Sequence, residues 1–276
     1  MSRTASPATV TQPPAITTAS LTRRFDSLLA VDQLDLTVDP GTIFGLLGPN
    51  GAGKSTTIKM LTTLLPPTSG TARVAGHDIV KQSAQVRRAI GYVPQLVSAD
   101  GGLTGRENLL LSAALYDISG ARRASRIADA LAFMGLTDAA NNLVRTYSGG
   151  MVRRLEIAQA LLHEPAVLFL DEPTIGLDPL ARNALWDRLR MSQHEFAMTI
   201  LITTHDMQEA DVLCDRLAIM HKGRIAALGS PAELKQRVGS DATLHQVFAE
   251  FAGGEISDEG SFHDISRRRR TASRLG

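Results

Sequence analysis

The octapeptide Gly48-Pro-Asn-Gly-Ala-Gly-Lys54-Ser55 constrains this chain more than any other stretch. It lies between a continuous apolar run, "TIFGLL" at 42–47, and a helix-like segment, "KSTTIKMLTTLL" at 54–65, which Pro66 and Pro67 should end. The apolar run fits a strand covered on both faces. Glycines let a backbone curl round a phosphate with no Cβ in the way. The helix that follows offers free N–H groups and the positive end of its dipole to an anion. Gly-x-x-x-x-Gly-Lys-Ser in that setting reads as a triphosphate cradle. In it Gly48, Pro49, Asn50, Gly51, Ala52, Gly53 and Thr56 would wrap the phosphates. Lys54 would reach the β- and γ-phosphates, and Ser55 would ligate Mg²⁺.

A cradle of this kind needs an acid at a nearby strand end. "AVLFLDEP" at 166–173 supplies two. Asp171 is placed to hold Mg²⁺, and Glu172 to polarise an attacking water. A buried strand does not end in two adjacent carboxylates for packing reasons, because leaving either unpaired costs several kcal/mol. The alternative is a solvated strand terminus.

Around these motifs the chain alternates. "LDLTV" at 34–38, "RAIGYVPQ" at 88–95, "MTILITTH" at 198–205 and "RLAIM" at 216–220 read as strands. "TARVAGHDI" reads as a hairpin turning near Gly76. From Arg106 to Met134 the texture is helical, with a break at Gly120 and Gly135 past the end. Another helix opens near Gly150, and 231–252 holds two short ones. That order argues a mostly parallel α/β sheet with helices on both faces and a helical insert at about 96–150. Residues 1–16 are read as a disordered leader, 17–240 as the main domain, and 241–276 as a C-terminal helix with a loose basic tail. The Arg267–Arg270 run reads as a solvated tail or as a contact for anionic lipid.

No apolar run reaches the length of a membrane helix, and the net charge of +1 gives no field toward nucleic acid. The single cysteine, Cys214, reads as a core residue. His77, His163, His194, His221, His245 and His263 show no metal-ligand spacing, and no role is assigned to them.

The remaining motif is "YSGGM" at 147–151, a hydroxyl and two glycines ahead of a helix. Alone it reads as an ordinary Ser-capped helix start. A chain with one triphosphate cradle has little use for a second, so the alternative is that this turn serves a nucleotide held by another copy.

Together, in this order, the motifs resemble the ATP-binding subunit of an ABC transporter over roughly residues 18–240. The resemblance implies a P-loop NTPase (RecA-like) core, an inserted α-helical subdomain and a small antiparallel β part, with ATP and Mg²⁺ as cofactors. It implies that Gln95 senses the γ-phosphate and Mg²⁺ and couples to a membrane partner. Ser148, Gly149 and Gly150 would face the γ-phosphate of an opposite subunit. Asp178 in "GLDP" would cross that interface, and His205 would contact the γ-phosphate. Phe25 lies where the family's adenine-stacking aromatic lies; a core Phe is the alternative. Tyr147 and Met151 replace the outer residues of the usual LSGGQ. These replacements, with "LTGRENL" and "RRLEIAQALLHEP", are similar to the drug-resistance type of exporter, as in daunorubicin and multidrug efflux. That branch implies a homodimer of ATPases under a separate ABC-2-type permease at the cytoplasmic membrane face, without nucleic acid. Polysaccharide or lipid export, import, and a soluble ABC ATPase remain the alternatives. Repair-type relatives need a long coiled coil, for which the stretch between Ser55 and Ser148 is too short.

Overall fold

A computed structural model describes residues 12–253. The Arg267–Arg270 run, His263 and most of the expected leader lie outside the described residues. β1 (Ile16–Phe25) and β2 (Leu28–Val38) pair antiparallel. Ile16, at the start of β1, is fully buried, and the N–H of Ala15 donates to the Val38 carbonyl at 2.9 Å. In β2 the stretch 34–38 alternates buried and exposed, as its sequence requires.

β3 (Ile43–Leu47) is buried at every position and runs into α1 (Lys54–Leu61) through the glycine-rich loop. α1 stops a turn before the prolines. The Thr62 hydroxyl donates back to the Ile58 carbonyl at 2.8 Å, and Thr63 takes a left-handed φ of 64°. β4 (Ser69–Val74) and β5 (His77–Asp78) form the anticipated hairpin, turning at Gly76 with φ 78°. β4 pairs with β1, giving a four-stranded antiparallel sheet in the order β2-β1-β4-β5.

α2 (Ser83–Ala89) leads into β6 (Ile90–Val93). The helical insert follows as α3 (Gly105–Leu115), α4 (Gly120–Phe133) and α5 (Gly149–Leu161). The Thr104–Glu107 capping box opens α3. Gly120 starts α4, and the break between the two helices falls just before it. Gly135, at φ 62°, lets the Leu136 N–H reach back to the Leu131 carbonyl at 2.8 Å and close α4.

The chain then returns to the sheet through β7 (Val167–Asp171), α6 (Pro179–Phe196), β8 (Thr199–Thr204), α7 (Met207–Leu213) and β9 (Arg216–His221). β10 (Arg224–Gly229), α8 (Pro231–Gln236) and α9 (Leu244–Ala252) complete the described residues. The second sheet has six strands in the order β10-β9-β3-β8-β7-β6, all parallel except β10.

Successive residues of β7 alternate between two cores. Leu168 and Leu170 pack with α5 and α6, while Val167 and Phe169 pack with α1 and the antiparallel sheet. Cys214 belongs to the first core. Its Sγ would lie 2.7 Å from a Cβ placed on Gly45, and burial pushes its thiol pKa up. The strand order sets β3, β8 and β7 side by side. Their carboxyl ends lead directly to Gly48, His205 and Glu172, the edge where open α/β sheets bind ligands.

Candidate nucleotide site

The glycines of the loop are needed for close approach. The Gly48 N–H donates to the Thr204 carbonyl at 3.2 Å, and a Cβ there would meet the Met220 carbonyl oxygen at 2.4 Å. Gly53 sits at φ 103°, where a Cβ would meet the Ala30 oxygen at 2.5 Å. Gly51, at φ 81°, has open space beside it. Gly53 caps α1 without a side-chain bond, and no acid occupies the first turn. The start of α1 is therefore left for an anion.

Lys54 is 4 % exposed. Its Nζ donates to the Gly48 and Pro49 carbonyls at 2.7 and 3.1 Å and lies 3.3 Å from Glu172 Oε1. Burial lowers the Lys54 pKa, and Glu172 and then Asp171 oppose that shift. Asp171 Oδ1 accepts from the hydroxyls of Ser55 at 3.0 Å and Thr203 at 2.6 Å. Burial, helped by Asp171, pushes the Tyr92 phenol up to about 12.

Glu172 is held in a left-handed conformation, φ 48°, which a non-glycine residue adopts only at a cost. Its N–H donates to Thr203 Oγ1 at 3.0 Å. Gln95 Nε2 donates to its Oε2 at 3.3 Å, and His205 Nδ1 lies 3.4 Å from its Oε1. Lys54, Gln95 and His205 thus converge on one buried carboxylate.

Phe25 is 38 % exposed at the end of β1, so it is not a core residue, and the Arg23 guanidinium lies 4.5 Å from its ring centroid.

The Ser148 turn is built differently. Ser148 N-caps α5 and accepts from the Met151 N–H at 3.3 Å. The Tyr147 hydroxyl donates to the Ala139 carbonyl at 2.7 Å, which anchors the turn to the helical insert. Asp178 N-caps α6 by accepting from the Ala181 N–H at 2.9 Å. A Cβ on Gly150 would lie 2.9 Å from Ala181 Cβ, so these two turns abut. Ser148 and Gly149 are exposed. Among the described residues, no hydrogen bond or ion pair joins Ser148, Gly149, Gly150 or Asp178 to the cluster around Glu172.

The sequence reading missed Thr203, which orients both acids. It also missed a buried ion pair, Arg153–Glu156, whose nitrogen and oxygen lie 3.0 Å apart on α5. Thr203 lay within the quoted "ITTH", where only the histidine drew attention.

A phosphate-cradling loop between strand and helix, with paired acids at a neighbouring strand end, defines a P-loop nucleoside triphosphatase. The family model described as ABC transporter matches residues 31–175, and the chain belongs to that family. It is 50 % identical over 232 residues to the daunorubicin/doxorubicin resistance ATP-binding protein DrrA of Streptomyces peucetius, covering 84 % of this chain and 70 % of that one. It is 40 % identical to the linearmycin resistance ATP-binding protein LnrL of Bacillus subtilis, covering 78 % of this chain and 68 % of that one. A solved structure titled "Structure of ATP binding subunit of ABC transporter" superposes with a TM-score of 0.77 at 31 % identity, covering 86 % of this chain and 99 % of that one. The protein binds ATP and is an ATPase of this transport family. Among the described residues no helix is long and apolar enough to cross a membrane.

Proposed function

We propose that this chain is the ATPase of an exporter for a drug or other hydrophobic compound, docked on the cytoplasmic face of a separate ABC-2-type permease. The observation that carries the cargo class is the 50 % identity to a daunorubicin/doxorubicin resistance ATP-binding protein. An apolar surface supports a helical membrane partner. Leu96 and Val97, just past Gln95, are 80 % and 65 % exposed. On α3, Leu110, Leu111 and Leu115 are exposed as well.

The chemistry follows from the cluster. An arriving triphosphate offers oxygens to Lys54 and draws its ammonium away from Glu172. Glu172, now released, accepts the proton of a water aligned with the γ-phosphate. Gln95 and His205 fix that carboxylate and meet the γ-phosphate, and Lys54 with the loop N–H groups stabilises the charge that develops on it. Gly48 to Thr56 cradle the phosphates, and Phe25 offers its open face to adenine. The Ser55 hydroxyl and Asp171 carboxylate, 3.0 Å apart, are the hard oxygen pair Mg²⁺ favours, with Gln95 at the same edge. Bound there, the ion would neutralise charge between the β- and γ-phosphates.

Ser148, Gly149, Gly150 and Asp178 would receive the nucleotide of a second copy, so two chains would enclose two ATP molecules. Hydrolysis would remove that bridge and release the pair.

The test is to express the chain together with an ABC-2-type permease in a drug-sensitive host. Daunorubicin accumulation should fall, and Glu172→Gln should restore it. Binding of the permease with no change in accumulation of any hydrophobic drug would overturn the cargo assignment.

A further inference from the structure

Arg153 and Glu156 stand three residues apart on α5, and the chemistry above uses neither. Both are nearly inaccessible, at 5 % and 3 % exposure. Arg153 Nη1 lies 3.0 Å from Glu156 Oε2 and donates to the Pro94 carbonyl at 2.8 Å. Its Nη2 donates to the Gln95 carbonyl at 3.0 Å. The other carboxylate oxygen of Glu156 accepts both the N–H and the hydroxyl of Ser98, the latter at 2.9 Å. The pair therefore grips the loop on both sides of Leu96 and Val97.

An ion pair is an expensive way to pack a helix, because desolvation offsets most of its attraction. An apolar pair would pack α5 as well. The charges add a directional hold on two carbonyls and one N–H that apolar side chains cannot provide. The loop so held carries Gln95, whose amide reaches Glu172. The helix that holds it starts at the Ser148 cap.

We propose that Arg153 and Glu156 are positioning residues that fasten the Gln95 loop to the helix bearing the Ser148 turn, so that both nucleotide-facing edges of one chain move as one body. A γ-phosphate arriving at Gln95 then re-aims Ser148 toward the second copy, and permease pressure on Leu96 and Val97 reaches both edges. This rests on the reading of Ser148 as a contact for the second copy's nucleotide.

The test uses the full chain carrying Glu172→Gln, which holds nucleotide without turnover. Arg153→Met with Glu156→Leu removes the grip and leaves no unpaired buried charge. ATP affinity should stay within about twofold, because the pair holds Gln95 only by its backbone carbonyl and touches no group of the 48–56 cradle. Hydrogen exchange over 94–100 should quicken about tenfold, and ATP-driven dimerisation should weaken about tenfold, a usual size for residues that couple two sites. Should this variant not fold, Ser98→Pro removes both exposed donors to Glu156 and should act in the same direction, more weakly. A folded variant with unchanged loop exchange, or with a loosened loop and undiminished dimerisation, would overturn the proposal. If the parent stays monomeric with ATP, the two-copy sandwich fails and the fastening is judged on the monomer. ATP should then slow exchange over 149–152 in the parent and not in the double variant; equal slowing in both overturns it.

Discussion

Two turns of this chain are suited to meet phosphate, and they are built in opposite ways. The loop at 48–55 is sunk against Ala30 and Met220, and its lysine is buried among two carbonyls and a carboxylate. The turn at 147–151 lies on the surface, held by one serine cap and one tyrosine hydroxyl. The first is organised by the fold before any ligand arrives. The second presents a helix start whose Ser148 and Gly149 are exposed, and among the described residues no hydrogen bond or ion pair ties it to the cluster around Glu172. A site organised on one side only is half a site, which is why we propose that a second copy supplies the other half.

The largest expected effect comes from the organised side. Glu172→Gln should cut phosphate release by about 10²–10⁴-fold, the usual weight of a general base, while a fluorescent nucleotide binds as before. Full turnover would remove Glu172 from the mechanism. Lys54→Ala should weaken ATP binding by about 10²-fold in a calorimetric titration, as truncating one member of a buried charge pair does. Unchanged affinity would move the phosphates away from this loop.

Paired glycine substitutions sharpen the contrast. Gly53→Ala forces a Cβ to 2.5 Å from the Ala30 oxygen at a φ of 103° and should cost about 2 kcal/mol or more in thermal unfolding. Gly149→Ala meets only Leu177 Cδ2 at 3.9 Å and should stabilise α5 by up to about 1 kcal/mol. Yet it should lower the ATPase activity of the assembled transporter. If both variants lose stability equally, the two turns are not built differently.

The smallest effect concerns pH. His163, just past the end of α5, stacks on Tyr116 with ring centroids 3.7 Å apart. Burial lowers its pKa below the ordinary 6.5; the Ile90 carbonyl opposes this, and Arg126 adds to it. The folded chain therefore resists a proton that the unfolded chain accepts, and stability is lost as pH falls below about 6.5. His163→Gln should make that acid-side loss shallower in denaturant titrations. An unchanged slope would show that His163 does not weaken the Ser148 helix in acid.

Contiguous chemistry was legible in the sequence. Gly48 to Ser55, Asp171, Glu172 and His205 each sit in a short motif beside a recognisable strand, and the fold brings them together. β1 was not legible, because its pairing with β2 shifts between Thr18 and Leu21, with Ser20 at φ 46°, so no clean alternation survives. β10 escaped notice because it turns back from β9 through Lys222 and Gly223 at positive φ, beyond the strand called at 216–220. The Arg153–Glu156 grip could not be read, because its partners include the Gln95 backbone carbonyl, 58 residues away. Backbone groups carry no sequence signal.

The most direct measurement is sedimentation of the Glu172→Gln chain with saturating ATP and Mg²⁺. It should run as a dimer with ATP and as a monomer with ADP. A monomer under every nucleotide condition, with and without the permease, would contradict the two-copy site.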